Sequence, residues 1–374
     1  MAADAPVVIE AVPTGDGQRL MRVRLNAERA LNALSQAMID RLQPALEEWA
    51  GDDTVAAVFL EGTGGKAFCA GGDVVGLYDD MRQRAVGDPC PVAEQFFTSE
   101  YRLDYTLHTF PKPIVCWGEG IIMGGGVGLL AGASHGIVTE RSRLAMPEMA
   151  LGLFPDVGGT FFLNRMPGRL GYYLGLTGEH IFATDIFAVG LGNYVIQSDQ
   201  RERVVDALAA ASWGRMARER HETASQVLGG IWRDKDATGG TPLMDRFARI
   251  QALTDHATPA AVIEAINRGA QTEEWLKSAA EGLKRGCPVS QAVFDRQYRG
   301  GRHLSLAACF QRELRIAVQA SRGPDFREGA RALLIDKDRN PSWSVPSLAE
   351  VSEAVVDAHF TLPADYHTHP LADL

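Results

Sequence analysis

Two short glycine runs and two acids offer the chemistry of this sequence. Ala70-Gly71-Gly72-Asp73 and Gly124-Gly125-Gly126 each precede an apolar helical pattern. Small residues there leave backbone N–H groups at a helix start unshielded by side chains. Such a start stabilises negative charge, and two of them facing one carbonyl oxygen would make an oxyanion hole. The competing reading, which glycine content alone favours, is a pair of tight turns with close helix packing. The acids are Glu148, directly after Pro147, and Asp156 in Phe154-Pro155-Asp156-Val157-Gly158-Gly159. Turn positions like these commonly hold solvated acids. Met146, Leu151, Leu153 and Phe154 surround both, and apolar surroundings raise a carboxyl's pKa towards acid–base work.

Other patterns carry less. Glu100, Asp104 and His108 recur at a spacing of four, the face of a helix, where a solvated charge stripe is the ordinary outcome. Gly62-Thr63-Gly64-Gly65-Lys66 resembles a phosphate loop, but Ala67 replaces the hydroxyl that would hold magnesium. Gly126, Gly128 and Ala131 satisfy the dinucleotide pattern, with Glu148 about 20 residues on. That acid follows a proline rather than closing a strand, so the match is weak. Cys69 has no evident cationic neighbours to make it a nucleophile. His367 and His369 stand without further metal ligands, and no metal site is expected.

Behind these residues lies strand–helix alternation. Val7–Val12 and Leu20–Leu25 flank an Asp16-Gly17 turn and predict a hairpin. Leu34, Met38, Leu42 and Leu46 predict an amphipathic helix entered at Ser35. Val55–Leu60, Ile114–Trp117 and Gly136–Thr139 predict strands, with helices after Asp73, over Val92–Phe110 and from Val127. This order predicts an α/β layered fold. After about residue 200, Ala-, Arg- and Glu-rich helical patterns take over. The expected division is therefore 1–200 and 201–374, the second part mostly helical. Residues Ala364–Leu374 are expected to fray.

The 374 residues include 39 glycines, 22 of them between Gly62 and Gly178, where the candidate chemistry lies. The net charge of −10 lacks the basic footprint of a general nucleic-acid binder. The five cysteines form no CxxC pair, which argues against a disulfide framework. No apolar run reaches the roughly 20 residues of a membrane span, and no basic leader opens the chain. A soluble cytoplasmic protein with no nucleic-acid or membrane partner is expected.

Three ordered segments go further. Lys66-Ala67-Phe68-Cys69-Ala70-Gly71-Gly72-Asp73, Gly120–Gly128 and Met146-Pro147-Glu148 through Gly158-Gly159 resemble the signature regions of the enoyl-CoA hydratase/isomerase (crotonase) superfamily. Val289–Leu306 and the stretch from Phe326 to Trp343 resemble its branch that hydrolyses 3-hydroxyisobutyryl-CoA, so the likeness covers roughly 7–345. The resemblance implies a crotonase-type spiral of β-β-α units with a helical C-terminal region. It implies a β-hydroxyacyl-CoA thioester as substrate, 3-hydroxyisobutyryl-CoA of valine breakdown foremost, with no cofactor beyond the CoA it carries. The N–H groups of Gly72 and Gly125 map onto the thioester oxygen. Glu148 maps onto the catalytic acid, Asp156 onto the second acid of the hydrolase branch, and Glu100 onto a substrate-contacting acid. Ala70 and Asp73 map to where the adenine end of CoA packs. Hydratases carry another glutamate where this chain has Gly128, which weakens a hydratase reading in favour of hydrolysis. A non-catalytic or RNA-binding relative is the alternative of another class. Relatives are often trimers or hexamers, so a homo-oligomer is one expectation.

Overall fold

The Asp16-Gly17 turn closes a hairpin in the computed structural model, which describes residues 5–232 and 240–374. Strand β1 (Val7–Pro13) pairs antiparallel with β2 (Arg19–Leu25), from Val7 opposite Leu25 to Pro13 opposite Arg19. The helix Gln36–Gly51 follows, and the Ser35 hydroxyl accepts the Met38 N–H to cap it. Its apolar face buries Met38, Ile39, Leu42, Leu46 and Trp49.

Each later strand pair divides between two sheets. The pairs are β3 (Val55–Gly62) with β4 (Ala67–Cys69), β5 (Ile114–Gly118) with β6 (Ile121–Met123), and β7 (His135–Val138) with β8 (Arg143–Ala145). The first strand of each pair joins the six-stranded sheet, and the second joins the four-stranded one. Strands β9 (Ile181–Phe182) and β10 (Tyr194–Val195) complete orders β1-β2-β3-β5-β7-β10 and β4-β6-β8-β9. From β2 to β10 the larger sheet is parallel. Strand β5 is buried at every residue and β3 at all but Gly62. Central parallel strands are covered on both faces, which is why these segments are continuous apolar runs.

The chain packs as two compact units. The first comprises Met1–Gly72, Leu103–Leu144 and Ile181–Met244; the second comprises Asp73–Arg102, Ala145–His180 and Asp245–Leu374. Within the first, Phe59, Val115, Trp117, Ile137, Val204 and Leu208 form a core over the larger sheet. The change of composition near residue 200 falls inside this unit's last stretch. The second unit is mostly helical, and Tyr101 is fully buried in it, 5.8 Å from the Phe97 ring and 6.1 Å from Phe310. Among the described residues no helix is long and apolar enough to cross a membrane.

The expected fraying of Ala364–Leu374 is not observed. Tyr366 donates to Glu94, Arg102 holds Asp373 through two bonds, His369 meets the Gln311 carbonyl, and Leu371 is fully buried. Each anchor lies tens to hundreds of residues away in sequence, so local polarity concealed them.

Candidate active site

In the first unit, β4 and β6 run side by side in parallel, with Cys69 opposite Ile122. Each strand ends in one of the glycine runs. Carboxyl ends of parallel strands are where α/β sheets bind ligands. A Cβ on Gly126 would lie 2.2 Å from the Cys69 carbonyl oxygen. Only glycine lets the helix Gly125–Gly132 start this close to the other run. Leu34 N–H to the Gly71 carbonyl and Ala70 N–H to the Leu31 carbonyl fix that second run. Gly72 and Gly125 therefore belong to adjoining segments of one unit, with Ala70 half-buried beside them. Gly128 lies buried inside the helix and offers no side chain.

Asp73 caps the helix Val74–Met81 by accepting the Gly76 N–H at 3.3 Å. It is exposed, and capping gives it a structural duty.

The acids gather in the second unit. Glu148 opens the 3-10 turn Glu148–Leu151, Asp156 lies on the following loop, and Glu100 comes from the helix Pro91–His108. All three are buried, with 2–4% of their surface exposed, so neither Glu148 nor Asp156 is a solvated turn acid. Nor is the Glu100–Asp104–His108 row a solvated stripe, since Glu100 and Asp104 are both buried. Glu100 falls in the second unit and Asp104 in the first.

The electrostatics follow from burial without compensation. Burial raises Glu148 well above the usual carboxylate range, and the charge of Asp156 adds to it. Glu100 is raised by burial first, then by Asp156 and Glu148. Asp156 is pushed up to about 7 by burial, against the pull of a hydrogen bond from Tyr101. That hydroxyl donates to Oδ2 of Asp156 at 2.7 Å. Oε1 of Glu100 and Oε2 of Glu148 have no hydrogen-bond partner among the described residues. Buried polar atoms left open in this way point to a ligand or water that completes them. The cluster can hold and exchange protons near neutral pH.

A stability signature follows. A carboxyl whose folded pKa exceeds its unfolded one stabilises fully below the unfolded value and loses that contribution as pH rises through the folded value. The fold should therefore weaken from about pH 4 to above pH 7. Glu100→Gln removes one buried charge and is expected to raise Tm at pH 8 by about 2–6 °C, with little change at pH 4.5. Scanning calorimetry at the two pH values checks this; an equal shift at both would remove the charge argument.

Sequence patterns missed three supporting side chains. Tyr101 fixes Asp156, while Glu313 and Gln297 are fully buried against the Pro155–Thr160 loop. The available signal for Glu313 was an acid among Phe310, Leu314 and Ala317 on the apolar face of the helix Leu306–Arg322. The second unit also holds a cavity of about 340 Å³ walled by Leu153, Phe154, Val293, Ile316 and Phe326, and the three acids do not line it. Among the described residues, no group of three or more His, Cys, Asp or Glu side chains is arranged to hold a metal ion.

Comparison with known proteins bears on this geometry. The family model described as enoyl-CoA hydratase/isomerase matches residues 20–360. The mitochondrial 3-hydroxyisobutyryl-CoA hydrolase of Xenopus tropicalis is 35% identical over 341 residues, which is 91% of this chain and 86% of that protein. The 3-hydroxyisobutyryl-CoA hydrolase 1 of Arabidopsis thaliana is 34% identical over 365 residues, 96% of this chain and 92% of that protein. A crystal structure of an enoyl-CoA hydratase from Rhodobacter sphaeroides 2.4.1 matches with a TM-score of 0.82 at 32% identity, covering 96% of this chain and 97% of that one.

Proposed function

The chain belongs to the enoyl-CoA hydratase/isomerase family, and from that premise we propose that it hydrolyses a β-hydroxyacyl-CoA thioester, 3-hydroxyisobutyryl-CoA foremost. The products are 3-hydroxyisobutyrate and free CoA, a step of valine breakdown. The observation that carries this reading is the buried pair Glu148 and Asp156, with Gly128 where a hydratase would place another glutamate. Relatives named 3-hydroxyisobutyryl-CoA hydrolase support it.

The chemistry assigns one duty to each group. Ionised Glu148 adds to the thioester carbonyl, or takes a proton from the water that does. Electrons move onto the carbonyl oxygen, whose growing charge the N–H groups of Gly72 and Gly125 receive. Collapse breaks the C–S bond, and CoA leaves as a thiolate that takes up a proton. If Glu148 is the nucleophile, water then cleaves the acyl-enzyme anhydride. Asp156, its Oδ2 fixed by Tyr101, binds the 3-hydroxyl group or positions water, and Glu100 orients the acyl end. The adenine end of CoA packs by Ala70 and Asp73. CoA enters as part of the substrate, and the steps call for no metal or redox group. A reducing compartment, the cytoplasm, belongs to the same reading; the five cysteines are buried thiols.

A hydratase is the second reading, favoured by the name of the Rhodobacter sphaeroides enzyme. Thiol release measured with 3-hydroxyisobutyryl-, 3-hydroxypropionyl- and crotonyl-CoA separates the two. Thiol from the hydroxyacyl substrates is expected. Hydration of crotonyl-CoA with no thiol from any of the three would favour the hydratase instead.

A further inference from the structure

The loop that carries Asp156 is held in a conformation it would not adopt alone. Val157, β-branched and buried, has a φ of +50°, and Gly158 follows at +91°. A β-branched residue in the left-handed region is an outlier that persists only where its surroundings over-determine it. Here three buried side chains of the second unit do so. Tyr101 donates to Asp156 Oδ2 at 2.7 Å. Gln297 Nε2 donates to the Pro155 carbonyl and to Thr160 Oγ1, both at 2.8 Å. Glu313 accepts the Gly158 N–H on Oε2 at 2.8 Å and the Thr160 N–H on Oε1 at 2.7 Å.

We infer that Glu313 is a positioning residue for the proposed thioester hydrolysis, seating the Asp156 loop through the N–H groups of Gly158 and Thr160. The inference rests on the hydrolase reading and deepens it. Its particular content is that a carboxyl group is required. Both loop groups are donors, and a carboxyl group meets them with two oxygens. Glutamine fills the same volume but turns one of its two ends into a donor facing a buried N–H. A residue kept only for packing would tolerate that exchange; a seat for two N–H groups would not.

Charge adds a second consequence. Glu313 faces Asp156 and Tyr101 across the loop, and Cys309 and Arg312 along its own helix. Asp156 is faced in addition by Glu100 and Glu148. Burial pushes Glu313 up to about 8, bonds from Thr160 and Gly158 oppose that, and the Asp156 charge adds to it. Asp156, at about 7, thus ionises ahead of Glu313, and glutamine at 313 removes no charge from that step.

The test uses steady-state thiol release from 3-hydroxyisobutyryl-CoA, by wild type, Glu313→Gln and Glu313→Asp, across pH 5–9. Glu313→Gln is expected to lower kcat by about 10–100-fold with KM within about twofold, the scale of a misplaced group at a reacting centre. Its rising pH limb should stay at the wild-type pH, since Asp156 ionises ahead of Glu313. Glu313→Asp keeps both oxygens but shortens the reach, and kcat should fall by roughly tenfold. Wild-type kcat in Glu313→Gln overturns the inference, as does wild-type kcat in Glu313→Asp should the glutamine variant not fold. Absence of thiol from the wild type itself would instead sink the hydrolase reading.

Discussion

Replacing Glu148 with glutamine is expected to lower thiol release by about 10³-fold or more, while CoA binding stays within about twofold. General acid–base groups contribute roughly 10²–10⁴ to rate, and a nucleophile contributes at least as much. An amide can neither take a proton from water nor add to the carbonyl. It does keep the volume of the side chain, which matters because Glu148 is only 4% exposed. The fold should not suffer. Burial and the charge of Asp156 already disfavour the ionised carboxylate, so an uncharged isostere leaves Tm unchanged or higher above pH 7. Thiol-trapping kinetics, calorimetric CoA binding and a melting curve on one preparation separate lost chemistry from lost structure. Near-normal turnover would take Glu148 out of the mechanism.

What local sequence could show, it showed. The Asp16-Gly17 hairpin and the Ser35 cap depend on neighbours within a few residues, and both occur as expected. The spiral of strand–strand–helix units became visible through the three signature segments, and the observed fold matches the crotonase type that they imply. Burial of the acids was not legible in the same way. A Cβ on Gly152 would lie 2.4 Å from the Asp325 carbonyl oxygen, so the turn that Glu148 opens is covered by chain some 170 residues later. No window around Pro147-Glu148 contains that cover. Without it Glu148 is a turn acid; its apolar neighbours argued against full exposure, and the resemblance supplied its role. Tyr101, Gln297 and Glu313 were hidden for a related reason. They sit in regular helices, where periodicity announces a face but not the loop that the face will hold. At Asp73 the sequence predicted the helix that follows, and the structure adds the cap.

Replacing Gly125 with proline is expected to lower kcat by about 10²–10³-fold, the loss typical of one oxyanion-hole donor. Backbone donors are hard to delete, but Gly125 is the first residue of its helix, after the cap Gly124. The N–H there is outside the intrahelical ladder, and proline's fixed φ suits that position. Gly124, at φ +45° and ψ −120°, lies outside the α region that a following proline forbids. Proline thus removes one donor without removing a helix hydrogen bond. Gly125→Ala is the necessary partner, because it adds a Cβ and keeps the N–H. Equal losses in the two variants would mean that crowding, not the donor, matters. A loss confined to proline, with Tm held within a few degrees, would tie the rate to the Gly125 N–H. The choice of position is decisive here: at Gly126 the added Cβ would stand 2.2 Å from the Cys69 carbonyl oxygen, and any loss of rate there would report a displaced helix start.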